Sequence, residues 1–190
     1  MPNNNLVLTN CLAGSLLLSV PGRFSVTHPL EECVVYIYEH IPELGAQGVV
    51  INRQSELTVK MLLEKMGYNT DSLLLDDPLY HGGRKDESAI MMVHSAEWYS
   101  SNTRAITADT SVSSDTFMID KLIEGNGPRE WLMCAGKCSW EPGHLELEVV
   151  NKQWLTLPAT RNLVFANESG ERQWRKTLEA CSKQTVNSWF

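Results

Sequence analysis

The sequence predicts an α+β domain built on a mixed or antiparallel sheet, and three observations carry that reading. Short runs of β-branched and apolar residues recur along the chain and outnumber helical patterns about two to one. The two kinds of pattern do not alternate regularly, which disfavours a doubly wound parallel sheet. Finally, the 190 residues contain no internal repeat, low-complexity stretch or Pro/Gly/Ser linker, so one domain over residues 1–190 is expected.

The predicted strands are "SLLLSV", "CVVYIY", "GVVIN", "AIMMVH", "RAITA", "EWLMCAG" and "NLVFA", each short and bounded by glycine, proline or polar residues. Three helical patterns lie between or after them. In "SELTVKMLLEKMG", Val59, Leu62, Leu63 and Met66 share a face and Gly67 supplies a stop. "SSDTFMIDKLIEGNG" opens with serines suited to capping and closes at Gly125. "GERQWRKTLEACSK" places Trp174, Leu178 and Cys181 at i, i+4 and i+7, a face that would pack on the sheet.

Composition restricts function without naming it. Apolar residues form 43% and charged residues 21%, as in ordinary soluble domains. A net charge of −7 repels a phosphate backbone, so direct DNA binding is disfavoured. No apolar run reaches the ~18 residues needed to span a bilayer. The stretch "LVLTNCLAGSLLLSV" lacks the basic start of a signal peptide and reads as one or two buried strands. Five scattered cysteines, an odd number, fit reduced thiols in a cytoplasm.

Local constellations are weak one by one. Cys134 and Cys138 form C-x-x-x-C, the spacing of neither a redox pair nor half of a zinc site. In "YHGGRKD", Gly82 and Gly83 could present backbone N–H groups while Arg84 and Lys85 add positive charge, although a plain turn is the commoner meaning. Glu39 and His40 adjoin, yet strand neighbours point to opposite faces. Nucleophile-elbow, Walker, H-E-x-x-H and dinucleotide motifs are absent, and no metal or cofactor is expected.

"HLELEVV" admits two readings. As a strand it aligns His144, Glu146 and Glu148 on one face, which could hold a hard cation. As a helix it pairs Leu145 with Val149, sends Glu146 away from His144 and keeps His144 beside Glu148.

Taken in order, "GSLLLSVP", "VVYIYEH", "GAQGVVINR", "HGG", "MMVHS", "WEPGHLELEVVNKQWLTLPA" and "LVFANESGERQW" resemble the bacterial AlgH/YqgE family. The resemblance runs from about Gly14 to Trp174, and the Trp-x-Pro-Gly segment is its most specific part. It implies a single α+β domain with strongly coiled sheets and three to four helices, a soluble bacterial protein with a proposed regulatory role and no established catalysis. It also favours a turn leading into a helix at "WEPGHLELEVV". Four departures stand out: Glu31 and Glu32 replace a basic run, Gly82-Gly83-Arg84 replaces Gly-Gly-Pro, Tyr38 replaces a frequent cysteine, and His144 replaces a glutamine.

The leading functional expectation is a non-enzymatic cytoplasmic protein of this type, acting by binding a protein or small-molecule partner. The alternative is an anion-binding or catalytic pocket where strand ends converge. Its candidate residues are Glu39, His40, Asn52, Arg53, Gly82, Gly83, His94 and Trp140, with Arg53 holding the anion and a histidine moving protons.

Overall fold

The structure is a computed structural model that describes residues 11–70 and 76–187. In chain order its elements are β1 (Ser15–Ser19), β2 (Val34–Ile41), β3 (Gly45–Val50), β4 (Gln54–Thr58), α1 (Val59–Lys65), β5 (Pro78–His81), β6 (Lys85–Ser95) and β7 (Arg104–Ala105). They continue with β8 (Thr110–Ser113), α2 (Thr116–Ile123), β9 (Trp131–Trp140), α3 (His144–Val150), β10 (Trp154–Pro158), α4 (Arg161–Val164) and α5 (Gly170–Asn187). The fold is α+β, with a strongly curled, mainly antiparallel sheet.

The sheet order is β10-β1-β2-β3-β9-β6-β8-β7, with β5 joined to β9 and β4 to β5. Among the described residues only the β5–β9 pair is parallel. Strand β9 makes the sheet continuous: its first half pairs with β5 and β6, and residues 138–140 pair with β3.

Both faces of the β1–β2–β3 region are covered, which explains why "LLL" and "VVYIY" read as unbroken apolar runs. Leu16, Leu18 and Tyr36 point into one core, closed by Trp174 and Cys181 of α5. Leu17, Val35 and Ile37 point into another, closed by Leu145 of α3 together with Trp140 and Trp154. A third cluster packs α1 and α2 against β5, β6 and β9 through Val59, Leu63, Met118, Met92 and Met133.

Residues 6–10 of the early apolar stretch lie outside the described residues, and its later part supplies β1. The helix expected from Ser55 begins only at Val59. Residues 54–58 form β4, and the Thr58 hydroxyl caps α1 by accepting the Met61 N–H at 3.2 Å. The second helix is capped by Asp115, whose Oδ1 accepts the Met118 N–H at 2.7 Å, while Ser113 belongs to β8. The third is α5, with Trp174 and Cys181 buried and Leu178 packed beside them.

"NLVFA" is a correction: residues 161–164 form the single helical turn α4, not a strand. Val164 is buried there and the Leu163 carbonyl accepts the Gln173 amide of α5. A five-residue apolar run has no period that separates a strand from one helical turn. "RAITA" contributes only the two residues of β7.

Three glycines let β5, β6 and β9 meet. A Cβ on Gly82 would lie 2.3 Å from the Gly136 oxygen, and one on Gly83 2.1 Å from the Lys137 carbonyl carbon. A Cβ on Gly136 would lie 2.3 Å from the Gly83 oxygen, and its φ is +77°. This contact fixes where the Gly82-Gly83-Arg84-Lys85 segment sits relative to β9.

Candidate functional site

A cleft of about 860 Å³ opens where β3, β5, β6 and β9 come together. Its floor is the run Lys137, Cys138, Ser139 and Trp140 of β9. Val50, Arg53 and Gln54 enter from the β3–β4 junction, and His81, Gly83, Arg84 and Lys85 from the β5–β6 junction. The two junctions are tied together: the Val50 N–H donates to the Gly82 oxygen and the His81 N–H to the Arg53 oxygen, each at 2.8 Å.

The β1–β2 loop forms the opposite wall through Val26, Thr27, His28, Pro29 and Leu30. That wall is held from below. Asn52, fully buried, accepts the Val34 N–H at 2.9 Å and donates to the Glu32 and Gly170 carbonyls, each at 2.9 Å. The Arg53 guanidinium donates to the Glu31 carbonyl. Glu31 and Glu32 are not among the cleft-lining residues; their backbone oxygens serve as the loop's anchors.

Four Arg/Lys side chains line the cleft, namely Arg53, Arg84, Lys85 and Lys137, against Glu87, Glu141 and Glu148. Three of the chain's five histidines, His28, His81 and His144, line it as well. Arg84 and Lys85 are exposed and have no ion-pair partner among the described residues, while Lys137 lies 3.6 Å from Asp86. On a chain of net charge −7, this is a local concentration of positive charge with apolar walls.

Helix α3 closes one end and splits the His-x-Glu-x-Glu triple. Glu148 Oε2 accepts both indole N–H groups, from Trp140 at 2.8 Å and from Trp154 at 2.7 Å. The two rings meet edge to face at 6.4 Å. Glu146 turns the other way and accepts from His40 Nε2 at 2.9 Å. His144 is left exposed on the cleft. Gly143 precedes the helix with φ +79°, the left-handed conformation that lets the chain turn from β9 into α3.

Of the sequence-predicted site residues, Arg53, Gly83 and Trp140 line this cleft, and Gly82 stands beneath it in the glycine contact. Asn52 anchors the wall rather than lining it. Glu39 faces a separate hollow of about 330 Å³ beside Tyr38 and Arg104, with Arg104 as its ion-pair partner. His40 is buried, and its Nδ1 accepts the Leu12 N–H at 2.9 Å, so Nε2 carries the proton given to Glu146.

His94 is fully buried. Its Nδ1–H donates to the Ser95 carbonyl and its Nε2 accepts from the Ser113 hydroxyl, both at 2.9 Å. Both buried histidines are therefore saturated inside the scaffold. The residues that sequence reasoning left out of the site are His28, His81, Arg84, Lys85, Lys137 and His144. Arg84 and Lys85 carried a local signal in their place after two glycines, and His144 carried one in its spacing to Glu146 and Glu148.

Burial pushes the His94 pKa below its ordinary 6.5, which has a measurable consequence for stability. The unfolded chain takes up the proton more readily than the fold does. Stability from this residue is therefore complete above about pH 6.5 and declines as pH falls through that value toward the lower folded pKa. Glu97 and Asp115, whose pKa values lie below their ordinary 4.5 and 3.8, act in a more acidic window. Thermal melts at pH 7.5 and 5.5 should show a lower Tm at pH 5.5 and a shallower dependence in His94→Gln; equal slopes would rule His94 out as the source.

Cys134 and Cys138 are not joined to each other in a disulfide. Cys134 directs its Sγ toward the Val50 oxygen and Cys138 toward the Gly82 oxygen, at 4.0 and 3.7 Å. Burial pushes both thiols up to about 12, so they stay protonated at neutral pH. Among the described residues, no helix is long and apolar enough to cross a membrane.

Comparison with known proteins gives a consistent set of relatives. The sequence profile of the family described as AlgH-like matches residues 17–186. A UPF0301 protein of Xanthomonas oryzae pv. oryzae is 34% identical over 173 residues, 87% of each chain. One from Thioalkalivibrio sulfidiphilus is 32% identical over 132 residues, 70% of each. Among solved structures, the AlgH protein from Pseudomonas aeruginosa superposes with a TM-score of 0.73 at 26% identity, over 90% of this chain and 89% of that one. Protein DIP2367 from Corynebacterium diphtheriae shares the fold with a TM-score of 0.71 at 18% identity, over 90% of this chain and 87% of that one.

Proposed function

This chain belongs to the AlgH-like family, and from that premise we propose that it is a non-enzymatic cytoplasmic binding protein whose cleft takes a small anionic ligand in a regulatory role. The observation that carries this reading is the cleft itself, with Arg53, Arg84, Lys85 and Lys137 gathered on an otherwise acidic chain. Its volume falls in the range of small-molecule sites, about 300–1,000 Å³, and its walls combine apolar surface with a few polar groups.

Binding is favoured over catalysis by the state of the candidate proton carriers. His40 and His94, the two buried histidines, are committed to the scaffold, His28 on the cleft accepts the Leu30 N–H at 3.1 Å, and Cys138 on the cleft floor is a protonated thiol. A small ligand is favoured over duplex DNA because the charge sits in a concavity, whereas an extended basic face is what a duplex engages.

Titration of ¹⁵N-labelled protein with sodium phosphate at low ionic strength tests the reading. The amides of residues 82–85 and 137–140 should shift in a saturable way and return on adding about 0.5 M sodium chloride, which shortens the range of charge interactions. Absence of saturable shifts there with phosphate, sulfate and carboxylate anions alike would overturn it.

A further inference from the structure

Resting on that anion-binding reading, we infer that the ligand is a phosphate monoester joined to a flat apolar group, with the dimensions of a nucleoside monophosphate. The cleft has two chemically different ends. Lys137 faces Lys85 across the β6–β9 ladder, with Arg84 adjacent, and this end is cationic. Trp140 lies three residues further along β9, about 10 Å away at the rise of a strand. Trp140 itself is buried in the second core, so the open surface near it is that of Pro29, Leu30 and the exposed His28, whose imidazole stacks on Phe24 at 4.9 Å while Phe24 lies 5.2 Å from Trp154 and Trp154 6.4 Å from Trp140.

Charge decides how many phosphates fit. Four Arg/Lys residues oppose three glutamates on the lining and Asp86 lies 3.6 Å from Lys137, which leaves Arg84 and Lys85, without an ion-pair partner among the described residues, to meet a ligand's charge. A phosphate ester carries about −1.5 to −2 near neutrality, which these two cations can balance. A triphosphate would place several further negative charges against Glu87, which lines the same cleft two residues beyond Lys85. Volume decides the rest: inorganic phosphate fills a small part of about 860 Å³ and leaves the apolar end in water, whereas a base and ribose occupy it.

Base stacking on aromatic and imidazole surfaces is worth about 1–3 kcal/mol in nucleic-acid sites. The expected signature is therefore a gain of about tenfold or more when a base is added to the same phosphate.

The test uses the full chain and isothermal titration with four probes: adenosine 5′-monophosphate, guanosine 5′-monophosphate, ribose 5-phosphate and adenosine. At least one monophosphate should bind about tenfold or more tightly than ribose 5-phosphate and than adenosine, and Arg84→Ala combined with Lys85→Ala should remove most of that affinity while leaving Tm unchanged. Equal affinity of ribose 5-phosphate and both nucleotides would overturn the inference and leave anion binding standing. Adenosine binding as tightly as its monophosphate would overturn the phosphate assignment. No binding by any phosphorylated probe, with no phosphate response in the amide titration, would overturn both readings.

Discussion

Gly136→Ala is expected to lower the melting temperature by about 4–16 °C. The added Cβ would stand 2.3 Å from the Gly83 oxygen and 3.4 Å from the Lys85 oxygen, both backbone atoms, at a φ of +77° that alanine rarely adopts. No flexible side chain can move aside, so β6 or β9 has to shift. Overpacking of a rigid contact costs about 1–3 kcal/mol and the left-handed backbone about 1 more, together about 2–4 kcal/mol. A domain of this size loses about 2–4 °C per kcal/mol. Gly83→Ala, whose Cβ meets the Lys137 carbonyl at 2.1 Å, should behave alike. Melting followed by circular dichroism checks this; a Tm within 2 °C of wild type for Gly136→Ala would show that the two backbones do not meet as described.

Asn52→Ala should cost about 3 kcal/mol in urea unfolding and weaken anion binding together. The side chain makes three hydrogen bonds from a fully buried position, to Val34, Glu32 and Gly170. Alanine removes all three and leaves buried carbonyl and N–H groups short of partners, each worth about 1 kcal/mol or more. The Gly170 N–H donates to the Asn52 backbone carbonyl at 2.7 Å, a bond that alanine keeps, so the start of α5 loses only the side-chain bond to the Gly170 carbonyl. Because Glu32 ends the loop that forms the cleft wall, the loss reaches the site. A cost below 1 kcal/mol with unchanged anion affinity would contradict the anchoring role.

The fold was legible where burial on both faces or a helical period left a strong pattern. "SLLLSV" and "CVVYIY" became β1 and β2, and Trp174, Leu178 and Cys181 became the inner face of α5. The missed strands have other causes. In β8, "TSVS" is polar by composition yet buried, because Thr110 and Ser113 bond to Tyr36 and His94. Strand β4 was hidden in a helical pattern that continues into α1, and β10, only three residues beyond α3, was not marked out as an element of its own.

The site was less legible than the fold. Its lining comes from five separated segments, at residues 26–30, 50–54, 81–87, 137–141 and 144–148, and only the register of β9 against β3, β5 and β6 brings them together. His40 and His94 attracted attention because polar residues at strand ends resemble a site, but their hydrogen-bond partners lie at distant positions such as Glu146 and Ser113. Glu148 shows the reverse case. Its spacing to His144 suggested a metal ligand, while its partners are the two tryptophans that make the segment recognisable.

The central claim is that the cleft binds a small anion through Arg84 and Lys85, which are exposed and take no part in the core. Equilibrium dialysis of phosphate against wild type and the Arg84→Ala, Lys85→Ala double variant tests it most directly. Charged hydrogen bonds contribute about 1.5–3 kcal/mol each, so the double variant should bind at least about tenfold more weakly with an unchanged Tm. Equal affinity of the two proteins would contradict it.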